Sequence, residues 1–455
     1  MDKEEALARI IEKLGSRKLV WFGDIGQDSR GLLDLPQYSH CYCSVAAPDS
    51  DRLQVLSLED LTGRRPVEGE MPPLTGPLSK EVFAWLESAI SQPCVVMNRT
   101  PISIMPVIQA MSSKVEYLGN SYKTYKALSD KVAVEAALKD LPGLKMIPYV
   151  GVPNDPSRRE VLLRKLADGP IVLRRNGLSA GIGHELIRDE RRLATSVLAG
   201  IDETISVGPY LEKFYTIGVS ACVFPDGGIT QHTTRAVLSG HPLFGPFDFS
   251  WGGNDFGVAA KLSPNALTAA EAAVRSAGAW LHGQGYVGIF TLQAMVNEQE
   301  CYYLEINPRF GGNSRVSVEV DDALNQPNVL LDHLMAWLGV ESYKTKPLAE
   351  QAAIQPPYSH ILCRNRTGNR VRLRKGRMRL PDGFFADLVP REGMWVAGDA
   401  ILCAVASSES VMTAPWTLND SAVRAVEAAI ASFEPGEPEL ETGEEGAAGT
   451  LPHAV

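Results

Sequence analysis

The chain has 455 residues, a formal net charge of −10 and an ordinary apolar content. That length is more than one hydrophobic core usually serves, so roughly two to four domains are expected. The acidic balance argues against non-specific nucleic-acid binding, and no apolar run approaches the roughly 20 residues that span a bilayer.

The opening residues, from Met1 through an amphipathic stretch to Leu14, lack the apolar core of a secretory leader, and a cytoplasmic location is expected. The seven cysteines show no paired CxxC spacing, so neither structural disulfides nor a zinc site is expected. Residues 1–115 read as an N-terminal α/β domain. A helix leads into a buried strand at Lys18–Phe22, strands follow at His40–Ala46 and Pro93–Met97, and a helix spans Ser79–Ser91. Gly23 and Gly26 lack the third glycine of a dinucleotide fingerprint and read as a plain strand-to-loop turn.

Residues 116–205 carry two features. Gly119 to Lys131 leads into a basic, alanine-rich amphipathic helix, and Pro170–Arg175 is a buried strand that ends in cations. The strand runs into Asn176–Gly183, whose glycines let backbone N–H groups wrap an anion, or make an ordinary hairpin turn. In residues 206–344, Pro209–Tyr215 and Val219–Phe224 form amphipathic strands, and His232–Arg235 ends another. His241–Gly257, dense in aromatics and glycine, reads either as core filler or as the wall of a substrate site, where Asp248 and Asp255 could meet a cationic group.

The most informative stretch is Tyr302–Asn313, an apolar run with one acid, one amide and one arginine before paired glycines. On a strand, Tyr303, Glu305 and Asn307 share one face and Tyr302, Leu304 and Ile306 the other. Upstream, Phe290, Leu292, Ala294 and Val296 form a second apolar stripe. A hairpin with residues 297–301 as its loop sets Gln293 opposite Glu305 and Thr291 opposite Asn307, with both apolar stripes on one face. Oxygens of Gln293, Glu305 and Asn307 then converge, a donor set that suits magnesium, with manganese as a substitute. Arg309 beside such a set supplies the cation that phosphoryl transfer needs.

Lys344–Pro357 reads as a linker, and residues 345–432 as a small β-rich C-terminal domain with a helix at Ser421–Ser432. Arg370, Arg372 and Arg374 share a strand face and read as solvated edge charges. Residues 433–455, rich in Glu, Pro and Gly, read as a disordered acidic tail.

Leu304–Gly312, with Gln293 one hairpin earlier, resembles the metal-binding end of the ATP-grasp superfamily. The resemblance covers about residues 115–340 by motif and implies an α/β (α+β) ATP-grasp fold with an N-terminal α/β pre-grasp domain. It implies an ATP-dependent carboxylate-amine ligase that forms amide bonds through an acyl phosphate, with ATP and one or two magnesium ions. Lys131 then contacts nucleotide phosphate. Arg174 stands where the family's strand ends in lysine, and Gly177, Ser179 and Gly181 belong to the phosphate-covering loop. Glu212, Lys213, Phe214 and Tyr215 match the hinge that meets adenine, although the acid that usually holds ribose is not evident near Gly218. Arg309, Arg235 and Arg174 become the catalytic cations, and Gln293, Glu305 and Asn307 the metal ligands.

Within the superfamily, the chain length, acid-poor metal site and added C-terminal domain are most similar to peptide ligases of natural-product biosynthesis. That similarity implies a small carboxylic acid, possibly a guanidino-bearing amino acid, as acyl donor, an amine or peptide as acceptor, and a homodimer. Gln293 leaves open a bicarbonate-activating, carbamoyl-phosphate-type enzyme. Arg174 and the missing ribose acid leave open a non-catalytic nucleotide-binding module.

Overall fold

The computed structural model describes residues 1–70, 75–99, 108–109, 112–175, 181–312, 314–374, 378–381 and 383–436. The N-terminal region is a five-stranded parallel sheet in the order Gln54–Ser57, Tyr38–Val45, Lys18–Ile25, Cys94–Asn98, Val115–Tyr117. Its central strands are apolar on both sides, as a parallel sheet covered on both faces requires. Leu19, Trp21, Val95 and Met97 pack with residues of the helices Lys3–Leu14 and Val329–Trp337. Val20, Phe22 and Val96 pack on Val82, Trp85 and Leu86 of the helix Ser79–Ile90. The helix Lys3–Leu14 starts where the Asp2 carboxylate accepts the backbone N–H of Glu5 at 2.9 Å.

A second layer is a four-stranded antiparallel sheet, in the order Val150–Val152, Ile205–Pro209, Ile171–Arg174, His184–Ile187. The helix Arg158–Ala167 contributes Leu162 to its core, with Ile171, Leu173, Ile205 and Val207. The Arg158 guanidinium is buried and donates to the carbonyl oxygens of Pro153 (2.8 Å) and Ile201 (2.7 Å), tying the ends of this unit together.

The largest element is an eight-stranded sheet whose adjacent strands all run antiparallel, in the order Cys301–Asn307, Gly288–Val296, Tyr215–Val223, Ile229–Ser239, Trp251–Asp255, Ser359–Arg364, Ile401–Ser407, Phe384–Asp387. It passes unbroken into the C-terminal segment because Asp255 pairs with Ser359 and Gly253 with Ile361. The helix Pro264–Gly283, capped by the Ser263 hydroxyl, lays Ala266, Ala270, Ala273 and Ala277 on one face, where small side chains allow close approach. The helices Ser314–Ala323 and Val329–Trp337 lie against the other face.

Two expectations are corrected here. Asp255 accepts the Ser410 hydroxyl (2.8 Å) and the backbone N–H groups of Val411 (2.8 Å) and Met412 (2.9 Å), while Asp248 accepts the N–H of Leu186 at 2.8 Å. Both acids fasten loops instead of awaiting a cationic substrate. Arg372 is solvated as expected, 48% exposed, but it stands on an inner strand and not on an edge. It pairs with Glu434 at 2.7 Å, and Arg370 and Arg372 lie over the Trp395 ring at 4.7 and 5.1 Å. The acidic tail therefore begins inside a sheet, as the strand Phe433–Pro435 beside Val371–Leu373. All seven cysteines are free thiols. Among the described residues, no helix is long and apolar enough to cross a membrane.

Candidate nucleotide and metal site

The expected hairpin forms with its register held at the candidate metal-ligand end, but Cys301, expected in the loop, pairs with Val296 in the strand. Gln293 pairs with Glu305 and Thr291 with Asn307, between the strands Gly288–Val296 and Cys301–Asn307. One detail differs from strict alternation. The register shifts after Gln293, so that Ala294 faces Tyr303 and Leu304 has no partner of its own. This bulge turns Tyr303 into the core with Phe290, Leu292, Ala294 and Ile306. Tyr302 and Leu304 go instead to an apolar cluster with Ile147, Phe214 and Met295. The expected grouping of Tyr302, Leu304 and Ile306 on one face thus fails, because one extra residue exchanges the faces.

The sheet extends the same row further. Gly218 pairs with Gln293 on one side and with Arg235 on the other, so Arg235, Gly218, Gln293 and Glu305 lie abreast across four strands. Gly218 has no side chain to fill its place. A Cβ there would stand 3.3 Å from Cζ of Arg235, so the guanidinium lies across the glycine. Arg235 is buried, and its Nε has no hydrogen-bond partner among the described residues. Burial pulls its pKa down to about 9 against the opposing pull of Asp321.

Across the cleft stands the helix Lys131–Leu138. The Asp130 side chain caps it by accepting the N–H groups of Val132 (3.2 Å) and Ala133 (3.1 Å), which fixes Lys131 at its first position. Lys131 Nζ lies 2.7 Å from Glu305 Oε2, and Asn307 Nδ2 donates to Glu305 Oε1 at 2.8 Å. Burial raises the Glu305 pKa, but the Lys131 ammonium outweighs it and, with Asn307, holds the carboxyl down at about 2.

Arg174 ends the strand Ile171–Arg174, as expected, but is not a free phosphate grip. Its guanidinium makes a bidentate pair with Glu135 (2.6 and 2.7 Å) and stacks 4.3 Å from the Tyr149 ring centroid. Both partners were missed from sequence. Glu135 lies four residues after Lys131, one helical turn on, and that spacing was the available signal. His184, paired in register with Arg174, was missed as well. Burial, with Lys131 and Arg174 nearby, lowers its pKa to about 4 and keeps it neutral.

The hinge connects the strand Ile205–Pro209 of the smaller antiparallel sheet to Tyr215–Val223 of the large one. It is a turn, with Lys213 exposed and Glu212 directed to Arg188 at 3.4 Å on the surface. Phe214 is buried against Met295, and Tyr215 starts the central strand. Gly177 and Ser179 lie outside the described residues. Gly181 (φ +80°) comes so close to the aromatic loop that a Cβ there would stand 1.9 Å from the Phe249 carbonyl oxygen. Arg309 donates to the Phe310 carbonyl at 3.3 Å.

Among the described residues, no group of three or more His, Cys, Asp or Glu could hold a metal ion. The donor set here is of another kind, one carboxylate with neutral Gln293 and Asn307. Such a set suits a hard cation that takes the rest of its shell from phosphate and water.

The architecture, with its parallel N-terminal sheet and two antiparallel sheets facing across this row, is the ATP-grasp fold. Among solved structures, the chain is similar to a biotin carboxylase–β,γ-ATP complex from Campylobacter jejuni, with 14% identity, a TM-score of 0.58 and 92% of each chain covered. It is similar to the biotin carboxylase domain dimer of Hydrogenobacter thermophilus 2-oxoglutarate carboxylase in complex with MgADP and bicarbonate. There the identity is 14% and the TM-score 0.57, over 92% of this chain and 90% of that one. It is similar, too, to N5-carboxyaminoimidazole synthetase from Staphylococcus aureus complexed with ADP, with 12% identity and a TM-score of 0.52, over 90% of this chain and 97% of that one. No protein-family model and no curated protein matches the sequence.

Proposed function

We propose that the protein is an ATP-dependent ligase that activates a carboxylic acid as an acyl phosphate and joins it to an amine. The observation that carries this reading is the row Arg235–Gly218–Gln293–Glu305, faced by Lys131 at 2.7 Å from Glu305. It sets cations at both ends of a carbonyl-and-carboxylate metal set, an arrangement that phosphoryl transfer uses. Three structural neighbours with nucleotide in their names agree with it.

Glu305, Asn307 and Gln293 would hold magnesium, which would supply charge neutralisation for phosphoryl transfer. Lys131 exchanges its Glu305 partner for phosphate oxygens. Tyr302, Leu304, Met295 and Phe214 offer an apolar bed for the base. Arg235 and Arg309 stabilise oxygens of the transferring group, and Arg174, held by Glu135, fixes the mouth of the loop beyond it. The amine then attacks the acyl carbon, the new C–N bond forms, and phosphate leaves. The resemblance to the peptide ligase of pheganomycin biosynthesis supports a guanidino-bearing amino acid as acyl donor, a peptide N-terminus as acceptor, and a dimer.

The neighbours' names favour a second reading, in which bicarbonate is the acid activated. ADP release, screened across acids and peptide amines with and without bicarbonate and coupled to product masses, separates the two. Turnover in bicarbonate-free buffer supports the organic-acid ligase. Strict dependence on bicarbonate supports the carboxylase-type reading, and nucleotide binding without any turnover rejects both.

A further inference from the structure

Of the cations that line the cleft, Lys131 and Arg174 each already have a carboxylate partner, Glu305 at 2.7 Å and Glu135 at 2.6 and 2.7 Å. Arg235 does not. Its buried guanidinium forms no ion pair among the described residues, its Nε has no hydrogen-bond partner there, and Nη1 reaches the Gly218 carbonyl at a long 3.4 Å. A buried cation so loosely held should draw in the nearest carboxylate.

That carboxylate is Asp321, on the helix Ser314–Ala323 that covers this face. The pairing of Tyr215–Val223 with Ile229–Ser239 is irregular where it passes His232 and Thr233, so both turn toward the helix and reach Asp321, at 3.2 Å to Oδ2 and 3.5 Å to Oδ1. Arg235 follows Thr233 by two residues and so shares its face. The Asp321 charge is also the one that opposes burial at Arg235.

Asp321 is nonetheless occupied. His232 lies between Asp321 (3.2 Å) and Asp332 (3.1 Å), and because ionised carboxylates only accept, both ring nitrogens donate and the ring is an imidazolium. Gln326 Nε2 donates to the other Asp321 oxygen at 2.8 Å. Asp332 is tied in turn by the hydroxyls of Thr230 and Tyr343, the latter at 2.9 Å. His360, whose ring also feels Arg235, is kept neutral by burial and by Arg315 and Arg235, so it adds no charge.

We infer that His232 and Gln326 are positioning residues: by holding Asp321 they keep it from pairing with Arg235, and so leave that guanidinium free for the oxygens of the transferring phosphoryl group. This rests on the ligase reading, which sets Arg235 on those oxygens.

The test is calorimetric titration of the full-length chain with MgADP alone and with MgADP plus aluminium fluoride, which stands in for the phosphoryl group in transfer. The wild type should bind more tightly with the fluoride present. His232→Gln, which cannot donate to both carboxylates, should bind MgADP as the wild type does and lose about tenfold of the fluoride-dependent gain, roughly one charged hydrogen bond. Gln326→Leu frees one Asp321 oxygen without touching the imidazole and should lose less, about threefold, corresponding to a weaker, neutral hydrogen bond. Adding Asp321→Asn to either variant should restore the gain, because a neutral amide makes no ion pair with a guanidinium. A role confined to stability gives the reverse, since each further substitution then removes another hydrogen bond. No loss in the folded single variants, no restoration in the double variants, or no fluoride-dependent gain in the wild type overturns the inference. Should His232→Gln fail to fold, the Gln326 variants decide alone. Failure of the wild type to bind MgADP overturns the ligase reading instead.

Discussion

Lys131 Nζ and Glu305 Oε2 stand 2.7 Å apart, so the first residue of one helix and the single carboxylate of the proposed metal set neutralise each other across the cleft. Lys131→Met removes the ammonium that outweighs burial at Glu305. The Glu305 pKa should rise from about 2, followed by NMR titration of the carboxyl carbon. Nucleotide binding should weaken by about tenfold or more, since a charge-assisted contact is lost. A Glu305 pKa that does not move would reject the pairing.

Arg174 is a second case in which geometry sets the outcome. Lysine at this position cannot make the bidentate pair with Glu135 or stack as well on Tyr149. Arg174→Lys should therefore not restore a better phosphate grip. It should destabilise the fold, and Arg174→Ala should cost more, about 3 kcal/mol, by leaving Glu135 without its partner. Urea unfolding of both variants checks the order.

Gly218 keeps the middle of the cross-strand row clear. A methyl group there meets the Arg235 guanidinium at 3.3 Å, tighter than ordinary contact but against a movable side chain. Gly218→Ala should leave thermal stability within about 1 kcal/mol of wild type while lowering the rate of ADP release, which kcat and KM measured together would show.

Stability should fall at both ends of the pH scale, for opposite reasons. Burial opposes charge on His232, but the carboxylates of Asp321 (3.2 Å) and Asp332 (3.1 Å) outweigh it and raise its pKa from 6.5 to about 10. A raised pKa gives stability that is complete below pH 6.5 and is lost as pH climbs through 10. Glu305 and Glu68, both held at about 2 against an ordinary 4.5, give stability that is complete above 4.5 and lost as pH falls through 2. Chemical denaturation from pH 2 to 10 should show both flanks. His232→Ala, which leaves two buried carboxylates uncompensated, should flatten the alkaline one at a cost of about 3–5 kcal/mol.

Much of this site was legible before any coordinates. The pairing of Gln293 with Glu305 was reached by matching two apolar stripes, of which only that of Phe290, Leu292, Ala294 and Val296 keeps to one face. Lys131 was singled out by the resemblance alone, in which an Asp–Lys pair starts a helix, and Asp130 does cap the helix that begins at Lys131. The bulge at Leu304 was not, since nothing in an apolar run says which residue will lack a partner. Nor was the fate of Arg174, because the partner that claims it comes from another element 39 residues away. Glu212, expected at the adenine-binding hinge, lies on its surface. Its place in the chain is the hinge, but a turn there lets its side chain reach the surface and Arg188.

The pairing of Trp251–Asp255 with Ser359–Arg364 has an architectural consequence. A chain cut between those strands would expose backbone donors and acceptors on both products and invite each to aggregate edge to edge. The described residues from Ser359 to Gly436 are therefore no detachable appendage. Swapping them between relatives would mean rebuilding the sheet on which Arg235 and Glu305 stand.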